Sequence, residues 1–153
     1  MISSGWVIVI PIVLPNLLLI ALPARATTAP AEPPRRGRTR VLGIVEGAGR
    51  VAVFALPFFL SLRVATPVDL VCLAIAGAAA VLYYVGWARF LIRGRTPLLL
   101  FASLGRVPVP LAVAPVIYFL ACAAIARSLV YALVVLPFGA AHILLSLKRA
   151  HTS

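Results

Sequence analysis

The amino-acid sequence predicts an all-α fold, a polytopic integral membrane bundle of about five transmembrane helices, on three observations. Hydrophobic residues make up 63% of the chain and charged ones only 11%, more apolar surface than one soluble core of this size can hide. The cations, 14 Lys+Arg against 3 Asp+Glu for a net charge of +11, fall between apolar runs rather than within them. Finally, Tyr83 to Arg106, YYVGWARFLIRGRTPLLLFASLGR, closes a long apolar run with aromatics and then arginines, the order in which a helix leaves hydrocarbon for an anionic headgroup layer. Tyr83, Tyr84 and Trp87 read as an interfacial aromatic belt, and Arg89, Arg93, Arg95 and Arg106 as contacts to anionic lipid headgroups beyond it. The same charge pattern argues against nucleic acid as a partner, which calls for a soluble basic domain. Arginine in place of lysine, with abundant Ala, Val, Leu and Pro, suggests a GC-rich bacterial genome.

The whole chain, 1–153, reads as a single membrane domain. A first span is expected over 6–22, interrupted by Pro11 and Pro15 one turn apart and by Asn16, and is therefore kinked or partly unwound. The competing reading is a secretory signal peptide, because Ala24-Arg25-Ala26 resembles a small-residue cleavage site. Against it stand the two prolines, the absence of Lys or Arg before the run, and the arginine cluster behind it. Residues 23–40 hold Arg25, Arg35, Arg36, Arg38 and Arg40 among prolines and alanines, which predicts a mobile linker on the cytoplasmic side. Arg35-Arg36 follows a complete span, so it is a poor twin-arginine export signal.

A second span is expected over 41–62. It opens with GIVEGAGR, in which Glu46 and Arg50 stand four apart in the order that favours a helical ion pair. Gly43, Gly47 and Gly49 allow close approach of another helix, and the expected neighbour is the third span, 68–92, whose run of alanines makes it the natural centre of the bundle. Pro57 must leave the Val53 carbonyl without its helical donor. Asp69 caps the third span and is the acid available to Arg63 or Arg127. Residues 93–106 form an interfacial segment in which Pro97 to Leu104 is too short to cross. A fourth span over 107–126 and a fifth over 129–147 are joined by Arg127-Ser128 alone, which predicts a tight antiparallel hairpin. Five crossings give an outer amino terminus, a cytoplasmic carboxy terminus and every arginine-rich segment on one side, the arrangement of an inner (plasma) membrane protein.

Chemistry is sparse. No metalloprotease, P-loop, nucleophile-elbow or paired-carboxylate motif is present, so no catalytic residue, cofactor or metal is expected. Cys72 and Cys122 read as small packing residues. His142 is the one intramembrane histidine, a functional candidate whose structural alternative is a hydrogen bond to a neighbouring helix. In the five-span topology Asn16, Glu46, Arg50, Tyr83, Tyr84 and His142 share the inner half of the membrane and define a candidate polar pocket. The expected role is non-catalytic binding of anionic lipid headgroups or a membrane partner, with a homo-oligomer possible. A proton-linked transporter using Glu46 and His142 is the alternative, and a lipid-modifying enzyme, lacking a nucleophile, ranks last.

Overall fold

The computed structural model describes residues 4–22 and 37–152, without the side chains of 18–21 and 152. Of the linker expected over 23–40, residues 23–36, with Arg25, Arg35, Arg36 and the cleavage-like Ala24-Arg25-Ala26, lie outside the described residues, and Arg38 to Arg40 are not linker but the first turn of α2. Among the described residues the regular structure is all helical: α1 (Ile10–Ala21), α2 (Arg38–Ala55), α3 (Pro67–Ile92), α4 (Pro110–Ile125) and α5 (Leu129–Thr152). Short 3-10 turns precede α1 at Gly5–Ile8 and extend α2 at Leu56–Phe59. Three helical stretches, Arg38–Phe59, Pro67–Ile92 and Leu129–His151, are long and apolar enough to cross a membrane. Their outward faces are apolar, with Val51, Val68, Val81, Ile92 and Leu129 all more than 60% exposed. A monomer dissolved in water does not display such continuous patches.

Proline explains most of the boundaries. Pro57 ends α2 earlier than the expected 62, since it cannot donate to Val53 and the chain tightens to 3-10 before turning extended at Leu60. The orphaned Val53 carbonyl is taken by Tyr131 Oη of α5 at 3.0 Å, and both residues are fully buried. At the start of α4, Val109 holds φ 39 and Pro110 opens the helix, three residues after the expected start. Pro15, Pro115 and Pro137 lie inside α1, α4 and α5. The α-helical parts of the first and fourth segments are consequently short: α1 has 12 residues and α4 has 16, about 18 and 24 Å against a hydrocarbon core of about 30 Å.

The helix at the centre is α4. It packs between α3 and α5, and α2 packs on α5, which corrects two expectations. First, α3 is not central: it buries one stripe only, Ala76, Ala79, Tyr83, Gly86, Trp87 and Phe90. Ala74, Gly77 and Ala78 face outward, because smallness permits close approach without directing it. By contrast, α4 buries residues on all sides, from Ala112 to Ile125. Second, the α2 glycine in close contact, Gly49, meets α5 rather than α3. A Cβ on Gly49 would stand 2.7 Å from Phe138 Cβ, whereas one on Gly47 would meet nothing within 4 Å. The α4–α5 connection is the expected tight hairpin. Arg127 takes φ 50, and Ser128 Oγ caps α5 by accepting from Tyr131 N at 3.1 Å. Cys72 and Cys122 are both free, Cys122 in the core.

These contacts give the bundle two ends. At one, Asp69 Oδ2 accepts from the backbone N–H groups of Ala65 and Thr66 at 3.0 and 2.9 Å and lies 3.5 Å from Arg127. At the other, Lys148 Nζ donates to Thr39 Oγ1 at 3.0 Å. There too Arg149 lies over the Phe101 ring at 5.7 Å, and Arg89 Nη1 donates to Ser103 O at 2.5 Å. The segment after α3 does not span: it makes one 3-10 turn, Pro97–Leu100, and docks Leu99 and Leu100 on the core.

Candidate functional site

Glu46 is the buried centre of the candidate site, only 6% exposed. It is eight residues beyond Arg38, roughly 12 Å along the helix axis from the start of α2. Its Oε1 receives Arg50 Nη2 at 2.5 Å from one turn further along α2. It also meets His142 Nδ1 at 2.8 Å from α5. The α2–α5 packing that Gly49 allows is what brings Glu46 and His142 together. With Nδ1 against a carboxylate oxygen, a neutral imidazole carries its proton there and keeps Nε2 as an acceptor. Phe138, one turn earlier on α5, stacks on the His142 ring at 5.3 Å and 11° and fixes its plane.

A second polar pair joins α1 to α3. Asn16 Nδ2 donates to Ile12 O of its own helix at 2.6 Å and to Tyr83 Oη at 2.7 Å. Tyr83 in turn meets Trp87 edge to face at 6.2 Å. Both rings are buried, at 3% and 4% exposure, so they are interior residues and not an interfacial belt. Tyr84, on the next face of α3, is 40% exposed and lies outside this cluster. The sequence cannot separate them, because aromatics at the end of a span serve belt and core alike, and the i, i+4 spacing of Tyr83 and Trp87 acquires meaning only once the partner of α3 is known.

Both pairs open on one cavity of about 360 Å³, lined from all five helices, with Asn16, Arg50, Tyr83, Trp87, His142 and Ser146 as its polar edge. Glu46 sits behind that edge and anchors it. The site thus draws together Asn16, Glu46, Arg50, Tyr83 and His142 and leaves Tyr84 out. Sequence reading missed the inward role of Trp87, whose Nε1 is buried with no partner in hydrogen-bond geometry among the described residues. It also missed Phe138, whose i, i+4 spacing to His142 is legible in hindsight.

The arginines expected at headgroups divide. Arg93 and Arg106 are exposed and Arg95 is half-buried. Arg89 is committed to the Ser103 carbonyl and pins the segment after α3 to that helix. Among the described residues no three His, Cys, Asp or Glu side chains gather as a metal site would need. Comparison with protein-family models, curated proteins and solved structures gives no match.

Proposed function

We propose that this chain is a five-crossing, non-catalytic membrane protein whose cationic end faces the cytoplasm of a bacterial plasma membrane and binds anionic lipid headgroups. The observation that carries this reading is the distribution of charge. Arg38, Arg40, Arg89, Arg93, Arg95, Arg106, Lys148 and Arg149 belong to one end of the bundle. The acids among the described residues, Glu46 and Asp69, are buried and already paired. An end with many cations and no available acid attracts anionic lipid by about 1 kcal/mol per exposed Lys or Arg.

The test is lipid retention by protein purified in mild detergent and delipidated against a mixture of phosphatidylglycerol and phosphatidylcholine. Phosphatidylglycerol should be retained preferentially, and Arg93→Gln with Arg106→Gln should weaken retention roughly tenfold or more. Equal retention of the two lipids would refute the reading. A second reading, proton-linked transport, is favoured by one contact, His142 Nδ1 at 2.8 Å from Glu46 Oε1 beside the cavity. It requires substrate flux in proteoliposomes that responds to a pH gradient and disappears in Glu46→Gln.

A further inference from the structure

The interior cavity is chemically unlike the cationic end. Its polar edge is rich in unused donors. Trp87 Nε1, on a side chain 4% exposed, makes no hydrogen bond of good geometry among the described residues, the Tyr83 hydroxyl standing beside it. Tyr83 Oη accepts from Asn16 and so keeps its own hydrogen to give. Arg50 gives Nη2 to Glu46 and retains further N–H groups of its planar fork. The same edge carries no surplus charge, since Glu46 and Arg50 cancel and the imidazole can stay neutral beside them. An anionic head here would add a negative charge next to the buried Glu46 carboxylate and compete with it for the field of Arg50 and Arg149. An uncharged head with hydrogen-bond acceptors meets the donors without that cost.

Shape and size narrow the ligand further. Aromatic rings form much of the wall, among them Phe54, Phe119 and Phe138, and such walls favour a flat partner that offers edges and faces to them. About 360 Å³ is at the small end of the roughly 300–1,000 Å³ range of small-molecule sites, room for one flat head and not for two acyl chains. We propose that the cavity binds an uncharged amphiphile of the quinone class, a flat ring bearing carbonyl acceptors, with the Trp87 indole N–H and the Arg50 guanidinium as donors. His142 Nε2 supplies an acceptor for a hydroxylated, reduced head. The proposal concerns binding alone and stands whether or not the cationic end engages lipid headgroups.

The reporter is Trp87 itself. The chain has two tryptophans, and Trp6, which lies outside this cavity, can be replaced by Phe. In protein reconstituted in zwitterionic nanodiscs, a naphthoquinone with a short isoprenoid tail should quench the remaining emission saturably. Ala112→Leu on α4 and Val13→Phe on α1, which fill the cavity from two different helices, should each raise the half-saturating concentration roughly tenfold. The two fillers guard against loss of fold in either one, and helical circular dichroism identifies the variant to be read. Arg93→Gln should leave the titration unchanged. Strictly linear quenching, as from quinone dissolved in lipid, in a folded protein would overturn the proposal. So would saturable binding of oleate at the same site with no saturation by the quinone, which would mark the head as anionic.

Discussion

One oxygen of Glu46 holds two partners, Arg50 at 2.5 Å and His142 at 2.8 Å, so neither contact is independent of the other. Replacing Glu46 by Gln orphans a guanidinium within a span, and the single variant should be less stable than Glu46→Gln combined with Arg50→Gln. Because the Arg50 side chain is 54% exposed, solvation of the guanidinium moderates the loss, and a difference of about 1 kcal/mol is expected rather than the full buried-pair value. Positions 46 and 142 should couple by about 0.5–3 kcal/mol in a double-mutant cycle read by unfolding in detergent. Strict additivity would remove the histidine from the site. A separate prediction concerns Tyr131, whose hydroxyl is the donor that Pro57 denies to Val53. Tyr131→Phe leaves that buried carbonyl unpaired and should cost about 1–3 kcal/mol in the same assay. The need for a donor at Val53 follows from the sequence, since proline has no N–H. The identity of the donor does not, because it comes from a helix 78 residues away.

At the scale of helices, close approach is decided residue by residue. Gly49 lies against Phe138 and Gly47 faces open space, although they stand two apart in one small-residue motif. Gly49→Ala should therefore destabilise the α2–α5 pair, while Gly47→Ala should be neutral or stabilising by up to about 1 kcal/mol, the helix-propensity gain of alanine over glycine. Matched melting of the two variants would contradict the packing. This contrast also measures what sequence can say about elements. The apolar runs made α2, α3 and α5 legible, the Arg127-Ser128 connection made the hairpin legible, and Asp69 marked the cap of α3, whose N-cap residue, Thr66, the structure adds. The neighbours were not legible. Glycine and alanine mark where a helix can be approached, but the approaching helix is chosen by large residues such as Phe119, Phe138 and Trp87, whose facing depends on all the others.

For the molecule as a whole, polarity is sorted along one axis and across it. Outward faces are apolar, a short polar seam runs inward from exposed Asn16 and Arg50 to His142, and most of the described cations collect at one end. The inner polar cluster was readable from depth alone, because Asn16, Glu46, Arg50, Tyr83 and His142 count to similar positions from the ends of their runs. Tyr84 counted to the same depth and faced elsewhere, since depth carries no information on rotation about the helix axis. The account's central claim is that the cationic end is cytoplasmic, and paired single-cysteine variants test it most directly. In a background lacking Cys72 and Cys122, Ser103→Cys lies at the cationic end and Val64→Cys in the connection at the end that holds Asp69. Both positions are exposed. An impermeant thiol reagent added to cells with an intact plasma membrane should label the cysteine at 64 and reach the one at 103 only after lysis. Labelling at 103 in intact cells, with protection at 64, would contradict the account.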